Sequence, residues 1–300
     1  MAFGKGKESA SSGSSFVKHM GIGTFEIVAI NPNAKELTEL TGKQVEQDPV
    51  YVTDKGDYKT ARVCVYLRNA TGGATGNFIT QVNFFIDGQV KKSQKGTVKV
   101  IDKYGNCRWI PQEDFDKKSI PNDKNGNKVV LDKDYRACLG DEDLLVKLLR
   151  AHLCLERPDE YIDGKWVMKS ADKLKNQESI LEHTKDYFKG DFSELRDIVA
   201  MQPNNKIQAL LGVRTTDDGK EYQDVFKHHF MQSWETNTSQ MEYQLGQNKE
   251  YSYSHTKFEL CPLKEWIQDV TPTDLSSGAM STTEDINEAV AQDNSDDLPF

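Results

Sequence analysis

The stretch from Arg62 to Trp109 combines positive and aromatic side chains, the two types that binding of single-stranded nucleic acid requires. Positive charges follow the phosphates, while bases stack on aromatic rings, which contributes about 1–3 kcal/mol per base and tolerates any base. The candidate binding residues are Arg62, Tyr66, Arg68, Phe85, Lys91, Lys92, Lys95, Lys99, Lys103, Tyr104, Arg108 and Trp109. A purely structural role stays open for many of them. The lysines also suit a solvated hairpin face, and Tyr66 and Trp109 suit ordinary packing.

A second cationic and aromatic segment runs from Arg214 to Phe230 and contains Lys220, Tyr222, Lys227, His228 and His229. Its signal is weaker than that of the first segment. The adjacent histidines are poor metal co-ligands on a strand, because successive side chains point to opposite faces.

The five cysteines are widely spaced, and no C-x-x-C pair occurs among them. This pattern indicates reduced thiols in a cytosol-like compartment. Cys138, His152 and Cys154 are one conceivable zinc set, with Cys107 as a fourth ligand, but their spacing matches no familiar zinc ribbon or knuckle. Buried thiols are the preferred interpretation, so the sequence predicts no metal and no cofactor.

Catalytic motifs are not evident. The carboxylates of Glu113, Asp114 and Asp116 lie close together in sequence, but acid clusters of this kind are usually solvated. Nucleophile-elbow, H-E-x-x-H and Cys/His signatures do not occur. The sequence therefore predicts a protein that is not an enzyme and has no catalytic residues.

Residues 271–300 contain seven carboxylates and neither Lys nor Arg. The segment is rich in Ser, Thr and Asn and poor in large apolar residues, so it cannot bury enough surface to offset the entropy of ordering. We expect a disordered acidic tail. Its end is an apolar anchor beside two acids, which suits partner docking. The residues are Asp296, Asp297, Leu298, Pro299 and Phe300.

This ending resembles the C-terminal tip of bacterial and phage single-stranded DNA-binding proteins, an acidic linker that closes on Asp-Asp-(apolar)-Pro-Phe. The resemblance covers four or five residues. It implies that the tip docks replication and repair partners and that the acidic tail competes with DNA for a basic groove. The chain is much longer than bacterial members of that family, which puts their tetrameric assembly in doubt here.

Composition sets the remaining bounds. The chain has 300 residues and a net charge of −9, of which the seven tail acids account for all but −2. A basic surface on residues 1–270 is therefore a local patch. Apolar runs of membrane-spanning length and a signal peptide do not occur. We expect a soluble cytoplasmic protein, in the cytoplasm of the bacterial host if a phage encodes it.

Periodicity predicts the elements that would position the candidate residues. Strict alternation from Thr60 to Asn69 places Arg62, Tyr66 and Arg68 on one strand face. Further strands are predicted at Gly23–Ile30, Asn77–Asp87, Thr97–Ile101 and Cys107–Ile110. Five strands within about ninety residues predict a small barrel or sandwich.

The second half of the chain changes character. Helices are predicted at Asp143–Leu155, Ser179–Phe188 and Ser193–Met201, the second from its capping-box start. Strands follow at Lys206–Thr216 and Thr256–Cys261. Between them, Tyr222–Phe230 fits either a strand or an aromatic helix face, and the turn before it favours a strand.

The sequence as a whole predicts a mainly β protein with an α insertion (α+β). A flexible leader (1–20) would precede an OB-fold-like five-stranded barrel (21–270), which carries a helical insertion at about 112–205; the acidic tail (271–300) follows. The predicted function is coating and protection of single-stranded DNA in replication, recombination or repair, with partners recruited by the tip. The alternative is a virion or scaffolding protein that docks a neighbour through the same tip without binding DNA.

Overall fold

The computed structural model describes residues 17–72, 76–90, 96–123, 125–154, 159–162, 165–168, 187–227 and 256–266. The strands are β1 (His19–Ile30), β2 (Val52–Asp54), β3 (Lys59–Asn69), β4 (Ile79–Asp87), β5 (Thr97–Ile101), β6 (Cys107–Pro111), β7 (Arg136–Ala137), β8 (Asp159–Ile162), β9 (Lys165–Met168), β10 (Lys206–Thr215), β11 (Glu221–Val225), β12 (Thr256–Phe258) and β13 (Lys264–Glu265). The helices are α1 (Ala34–Thr41), α2 (Gln112–Asp116), α3 (Glu142–His152) and α4 (Ser193–Ala200). The coarse class predicted from the sequence, mainly β with some α, is confirmed.

The main sheet has an antiparallel path in the order β11-β10-β1-β3-β4. The short strands β2, β12 and β13 pair with β3, β10 and β1 respectively. The two ends of the path approach each other, because β11 lies alongside β4. Within the described residues no hydrogen-bonded ladder joins these two strands. The sheet is curled but is not a closed barrel.

The predicted grouping of the first five strands is wrong. β5 and β6 form their predicted hairpin, but they leave the main sheet and pair with β7 in a separate three-stranded sheet. A small core of their own holds them there, built from Val98, Val100, Ile110, Leu131 and Tyr135. The main path is completed instead by β10 and β11, which come from the second half of the chain.

The main core lies on the inner face of this sheet. The alternation predicted for β3 is confirmed, since Ala61, Val63, Val65 and Leu67 are all fully buried. From β4, Val82, Phe84 and Ile86 join them. Burying each large apolar side chain contributes about 1.5–3 kcal/mol. On the other face of β3 and β4, Arg68 and Gln81 are exposed and Cys64 is buried. The half-buried members of that face are Arg62, Tyr66, Asn83 and Phe85.

Helix α3 packs against β4 and β10 and places Leu145, Leu148 and Leu149 in the same core. Its acidic first turn (Glu142, Asp143) and the arginine of its last turn (Arg150) suit the helix dipole. The helices predicted at Asp143–Leu155 and Ser193–Met201 are confirmed as α3 and α4. Of the helix predicted at Ser179–Phe188, residues 179–186 lie outside the described residues, as do the leader up to residue 16 and the tail.

The region predicted as a helical insertion, about 112–205, contains α2, α3 and α4 together with the short strands β7, β8 and β9. The segment predicted from Tyr222 is a strand, β11. No helix in the described ranges is long and apolar enough to cross a membrane.

Candidate nucleic-acid interface

The outer face of the β3–β4 ladder brings together four of the predicted binding residues. Alternation along each strand puts them outside the core, and the antiparallel register sets them opposite their neighbours. Facing pairs on this surface are Arg62 with Phe85, Cys64 with Asn83, Tyr66 with Gln81, and Arg68 with Ile79. We call this surface, with Arg62, Tyr66, Arg68 and Phe85 as its charged and aromatic members, the outer β3–β4 face.

The Arg62 guanidinium is held at one end of this face. It lies 5.8 Å from the centroid of the Tyr51 ring, and Nη2 donates to the Val50 carbonyl at 3.3 Å. The Tyr51 hydroxyl in turn donates to the carbonyl of Pro32 at 2.6 Å. A cation–π contact of this kind contributes about 0.5–1 kcal/mol at an exposed site. The sequence pattern gives no signal for Tyr51, because this residue lies in an irregular segment without periodicity.

Asn31 supports the backbone beneath Arg62 at the point where β1 ends. Its side chain accepts from the Cys64 amide at 2.6 Å and donates to the Arg62 carbonyl at 3.1 Å. Its own φ of 44° is the left-handed conformation that Asn tolerates better than most residues. Asn31 thus provides strand-like partners for β3 beyond the end of β1.

Tyr66 lies at the centre of the face, half-buried between the two arginines. Burial raises the pKa of its phenol well above the usual range, and the same cause raises the pKa of the Cys64 thiol to about 11. Both groups are therefore uncharged at neutral pH. The centre of the face presents an aromatic ring and carries no negative charge that would repel a phosphate.

Phe85 joins the face to the predicted second segment. Lys227, which follows β11, places Nζ 5.8 Å from the centroid of the Phe85 ring. The same ammonium donates to the Asn83 carbonyl at 3.3 Å and pairs with Asp141 at 2.8 Å. Because β11 lies beside β4, two segments more than a hundred residues apart contribute to one surface. His228, His229 and Phe230 of that segment lie outside the described residues.

Arg68 is exposed at the opposite end of the face. Its cross-strand neighbour on β1 is Glu26, whose carboxylate offsets part of the local positive charge. The positive charge of this surface is therefore discrete, at Arg62 and Arg68, and not a continuous basic stripe, since the Lys227 ammonium is paired with Asp141.

The remaining described candidates lie on the separate sheet. Lys99 pairs with the buried Asp143 at 2.8 Å, so its ammonium is directed inward. Lys103 lies 3.7 Å from Asp132 and 5.0 Å from the centroid of the Tyr104 ring. Arg108 and Trp109 are exposed on β6, with Trp109 41% accessible. Lys91, Lys92 and Lys95 lie outside the described residues.

The cysteines are not arranged as the conceivable zinc set required. His152 Nε2 lies 3.0 Å from the Val199 carbonyl, and the Cys154 thiol accepts from Asn205 at 3.2 Å. Neither joins Cys138. Instead the fold places Cys138 beside Cys107 and Asp143, and in the described part of the chain this is the group whose donor atoms could share a metal ion. Cys107 on β6 and Cys138 after β7 are separated in sequence by α2 and a loop, so their spacing matches no zinc motif.

Comparison of the chain with protein-family models, with curated proteins and with solved structures found no match. The functional argument therefore rests on the strand arrangement and on the outer β3–β4 face.

Proposed function

We propose that the protein binds single-stranded DNA across the outer β3–β4 face and coats it in replication, recombination or repair. The observation that carries the proposal is the presence of Arg62, Tyr66, Arg68 and Phe85 on one outward face of two paired strands. This is a combination of cations and aromatic rings on a rigid platform, as sequence-independent single-strand binding requires.

The strand order supports an OB-like reading of the main sheet. β1, β3 and β4 are successive antiparallel neighbours, and β10 returns after a long connection to lie beside β1, which is a Greek-key order. β11 adds a fifth strand that lies alongside β4. An OB-fold is a five-stranded, partly open Greek-key barrel, and it binds oligonucleotides on the face of its second and third strands. In the present order those strands are β3 and β4.

The spacing of side chains suits a strand of nucleotides lying along β3. Residues two apart on one strand face are separated by about 6.8 Å. Arg62, Cys64, Tyr66 and Arg68 therefore form a row along β3. Phe85 extends the row sideways onto β4. In the proposed mode, bases stack on the two rings while the arginines neutralise phosphates.

The acidic segment 271–300 has two roles in this proposal. Its carboxylates compete with DNA for the arginines of the outer face, and Asp296, Asp297, Leu298, Pro299 and Phe300 dock partner proteins. Arginines that bind phosphate also attract carboxylates, which is the physical reason to expect competition. The support for the docking role is the resemblance of the segment to the tip of known single-strand binders.

The test is a fluorescence titration of the full chain with a labelled oligo-dT of a few tens of nucleotides, at two salt concentrations. Each phosphate contact to a single strand contributes about 0.7 to the slope of log K against log salt. Replacing both Arg62 and Arg68 with Ala should therefore weaken binding and lower that slope by about 1.4. The matched control replaces two exposed cations with Ala, Lys35 on α1 and Lys117 just after α2, and should bind as the wild type does.

Two outcomes would count against the proposal. Equal binding by the arginine and lysine variants would remove the outer β3–β4 face as the interface. No binding by the wild-type chain at low salt would favour the alternative, a virion or scaffolding protein that uses the 296–300 segment to dock a neighbour.

A further inference from the structure

Three side chains from different parts of the chain lie close together beside the N-terminal end of α3. Cys107 lies on β6, Cys138 follows β7, and Asp143 is in the first turn of α3. The two sulfur atoms and a carboxylate oxygen all lie within 4.8 Å of one another. Cys138 Sγ is 3.8 Å from Asp143 Oδ1. Cys138 and Asp143 are buried and Cys107 is half-buried, so the group has one side open towards solvent.

These distances are close to those of a tetrahedral zinc site. With Zn–S of about 2.3 Å and Zn–O of about 2.0–2.2 Å, two sulfur ligands are about 3.8 Å apart and a sulfur and an oxygen about 3.5 Å apart. The donor atoms therefore need to approach one another by at most about 1.3 Å to share one ion. Thiolates select soft or borderline cations such as zinc over magnesium and calcium.

We propose that Cys107, Cys138 and Asp143 bind a zinc ion, with a water molecule from the open side as the fourth ligand. Binding releases the two thiol protons to solvent and forms two Zn–S bonds and one Zn–O bond. Among the described residues no further Cys, His, Asp or Glu reaches the group. This proposal departs from the sequence prediction of no metal, and it does not depend on the proposed DNA binding.

Lys99 supplies the charge balance. Two thiolates, one carboxylate and Zn²⁺ sum to −1, and the Lys99 ammonium, 2.8 Å from Asp143 Oδ1, brings the group to zero. The same Asp143 oxygen, Oδ1, lies near both Lys99 Nζ and Cys138 Sγ. A carboxylate oxygen has two lone pairs, so Oδ1 can accept from Lys99 and also bind the ion. In the metal-free protein a hydrogen bond with Cys107, together with burial, raises the pKa of the Cys138 thiol.

The ion would fix the loop between Cys138 and Asp143, which supports the outer β3–β4 face. Cys138 and Asp143 bracket Asp141, whose amide donates to the Phe85 carbonyl at 2.8 Å and whose carboxylate accepts from the Phe85 amide at 3.0 Å. A metal ion bound by Cys107, Cys138 and Asp143 would fix both ends of this short loop, because Cys138 and Asp143 lie at those ends. It also fastens the separate β5–β6–β7 sheet to α3.

The test uses the full chain, reduced and stripped of metal by a chelator, and titrated with Co²⁺ as a spectroscopic probe. We expect one equivalent to produce near-ultraviolet thiolate-to-cobalt charge transfer and visible bands of tetrahedral cobalt, both displaced by Zn²⁺. Zn²⁺ should also raise the unfolding temperature. Cys107→Ser and Cys138→Ser should each lose most of the charge-transfer intensity, and Asp143→Asn should weaken binding at least tenfold.

The matched controls are Cys154→Ser and Cys261→Ser. Cys261 has a carboxylate 3.3 Å away, on Glu259, but no second thiol among the described residues, so its loss should leave the cobalt spectrum unchanged. Circular dichroism establishes that each variant is folded. Absence of charge transfer in the folded wild type, or an intact spectrum in the folded Cys107→Ser, Cys138→Ser double variant, would overturn the proposal. Neither result would bear on oligo-dT binding by the wild type, so the two proposals fail separately.

Discussion

Lys227 Nζ lies 2.8 Å from Asp141 Oδ2, and this ion pair bridges the opening between β11 and β4. Asp141 occupies the edge of β4 as a further strand would, because it exchanges hydrogen bonds with both the amide and the carbonyl of Phe85. The close approach depends on Gly140, whose φ is +55° and whose Cβ, if it had one, would overlap the Phe85 carbonyl oxygen. A side-chain and loop contact thus replaces the missing ladder of hydrogen bonds.

Removal of the Asp141 side chain should destabilise the protein. In Asp141→Ala the Phe85 amide and the Lys227 ammonium both lose a partner in a partly buried setting, so we expect the free energy of unfolding to fall by about 1–3 kcal/mol. Asp141→Asn keeps an oxygen acceptor for the amide and should cost less. Urea unfolding followed by circular dichroism compares the two. A loss that is equal in both variants would assign the effect to charge alone.

The aromatic rings of the outer β3–β4 face should contribute more to DNA affinity than aromatic rings of the separate sheet. Tyr66→Leu and Phe85→Leu keep apolar bulk but remove the flat ring, so each should cost about 1–3 kcal/mol, at least a fivefold weakening. Trp109→Leu is the comparison, since Trp109 is exposed on β6. Oligo-dT titration at fixed salt measures all three. A larger loss for Trp109→Leu would move the interface to the β5–β6–β7 sheet.

Deletion of residues 271–300 should raise the affinity for oligo-dT at low salt. The deletion removes seven carboxylates that we propose compete with phosphates, and the gain should shrink as salt screens the competition. A chain of full length in which these acids become Asn or Gln should show the same gain, which separates charge from bulk. Phe300→Ala leaves the charge intact and should bind DNA as the wild type does. An affinity unchanged by deletion would exclude the competing-tail mechanism.

His152 should make the stability fall in mild acid. Burial lowers its pKa from the ordinary value of 6.5, while the hydrogen bond to the Val199 carbonyl opposes this. Below pH 6.5 the unfolded chain takes up a proton that the folded protein does not, so the contribution is fully present above that pH and is lost as the pH falls towards the folded pKa.

Because one proton is involved, the free energy of unfolding should change by at most about 1.4 kcal/mol per pH unit. Urea unfolding between pH 7.5 and 5 measures it, and NMR of the imidazole ring gives the folded pKa directly. His152→Gln should have the shallower dependence. An identical dependence in wild type and variant, or a ring that titrates above 6.5, would contradict the assignment.

Local pattern was sufficient for much of the fold. Alternation in β3 predicted that Arg62, Tyr66 and Arg68 share one strand face, because successive residues of a strand point to opposite faces. The same regularity predicted the β5–β6 hairpin, and amphipathic spacing with acids at the start predicted α3. These features depend on neighbours in sequence, which the sequence displays directly.

Strand partnership could not be predicted in this way. Strand count suggested that the first five strands form one unit, but β5 and β6 pair with β7, while β10 and β11 complete the main path. The choice depends on which apolar faces fit together, a long-range property that no local window contains. Only the tertiary structure brings Lys227 to Phe85, and only it brings Cys107 to Cys138 and Asp143.

The sequence by itself determined the composition of the outer β3–β4 face, since strand alternation decides which side chains share a side. It also determined the acidic charge of residues 271–300, since that is a matter of composition. The tertiary structure decided which strands flank that face, which of the predicted cations are directed inward, as Lys99 is, and which distant groups meet. The physical reason is that packing and charge pairing depend on distance in space, whereas periodicity depends only on distance along the chain.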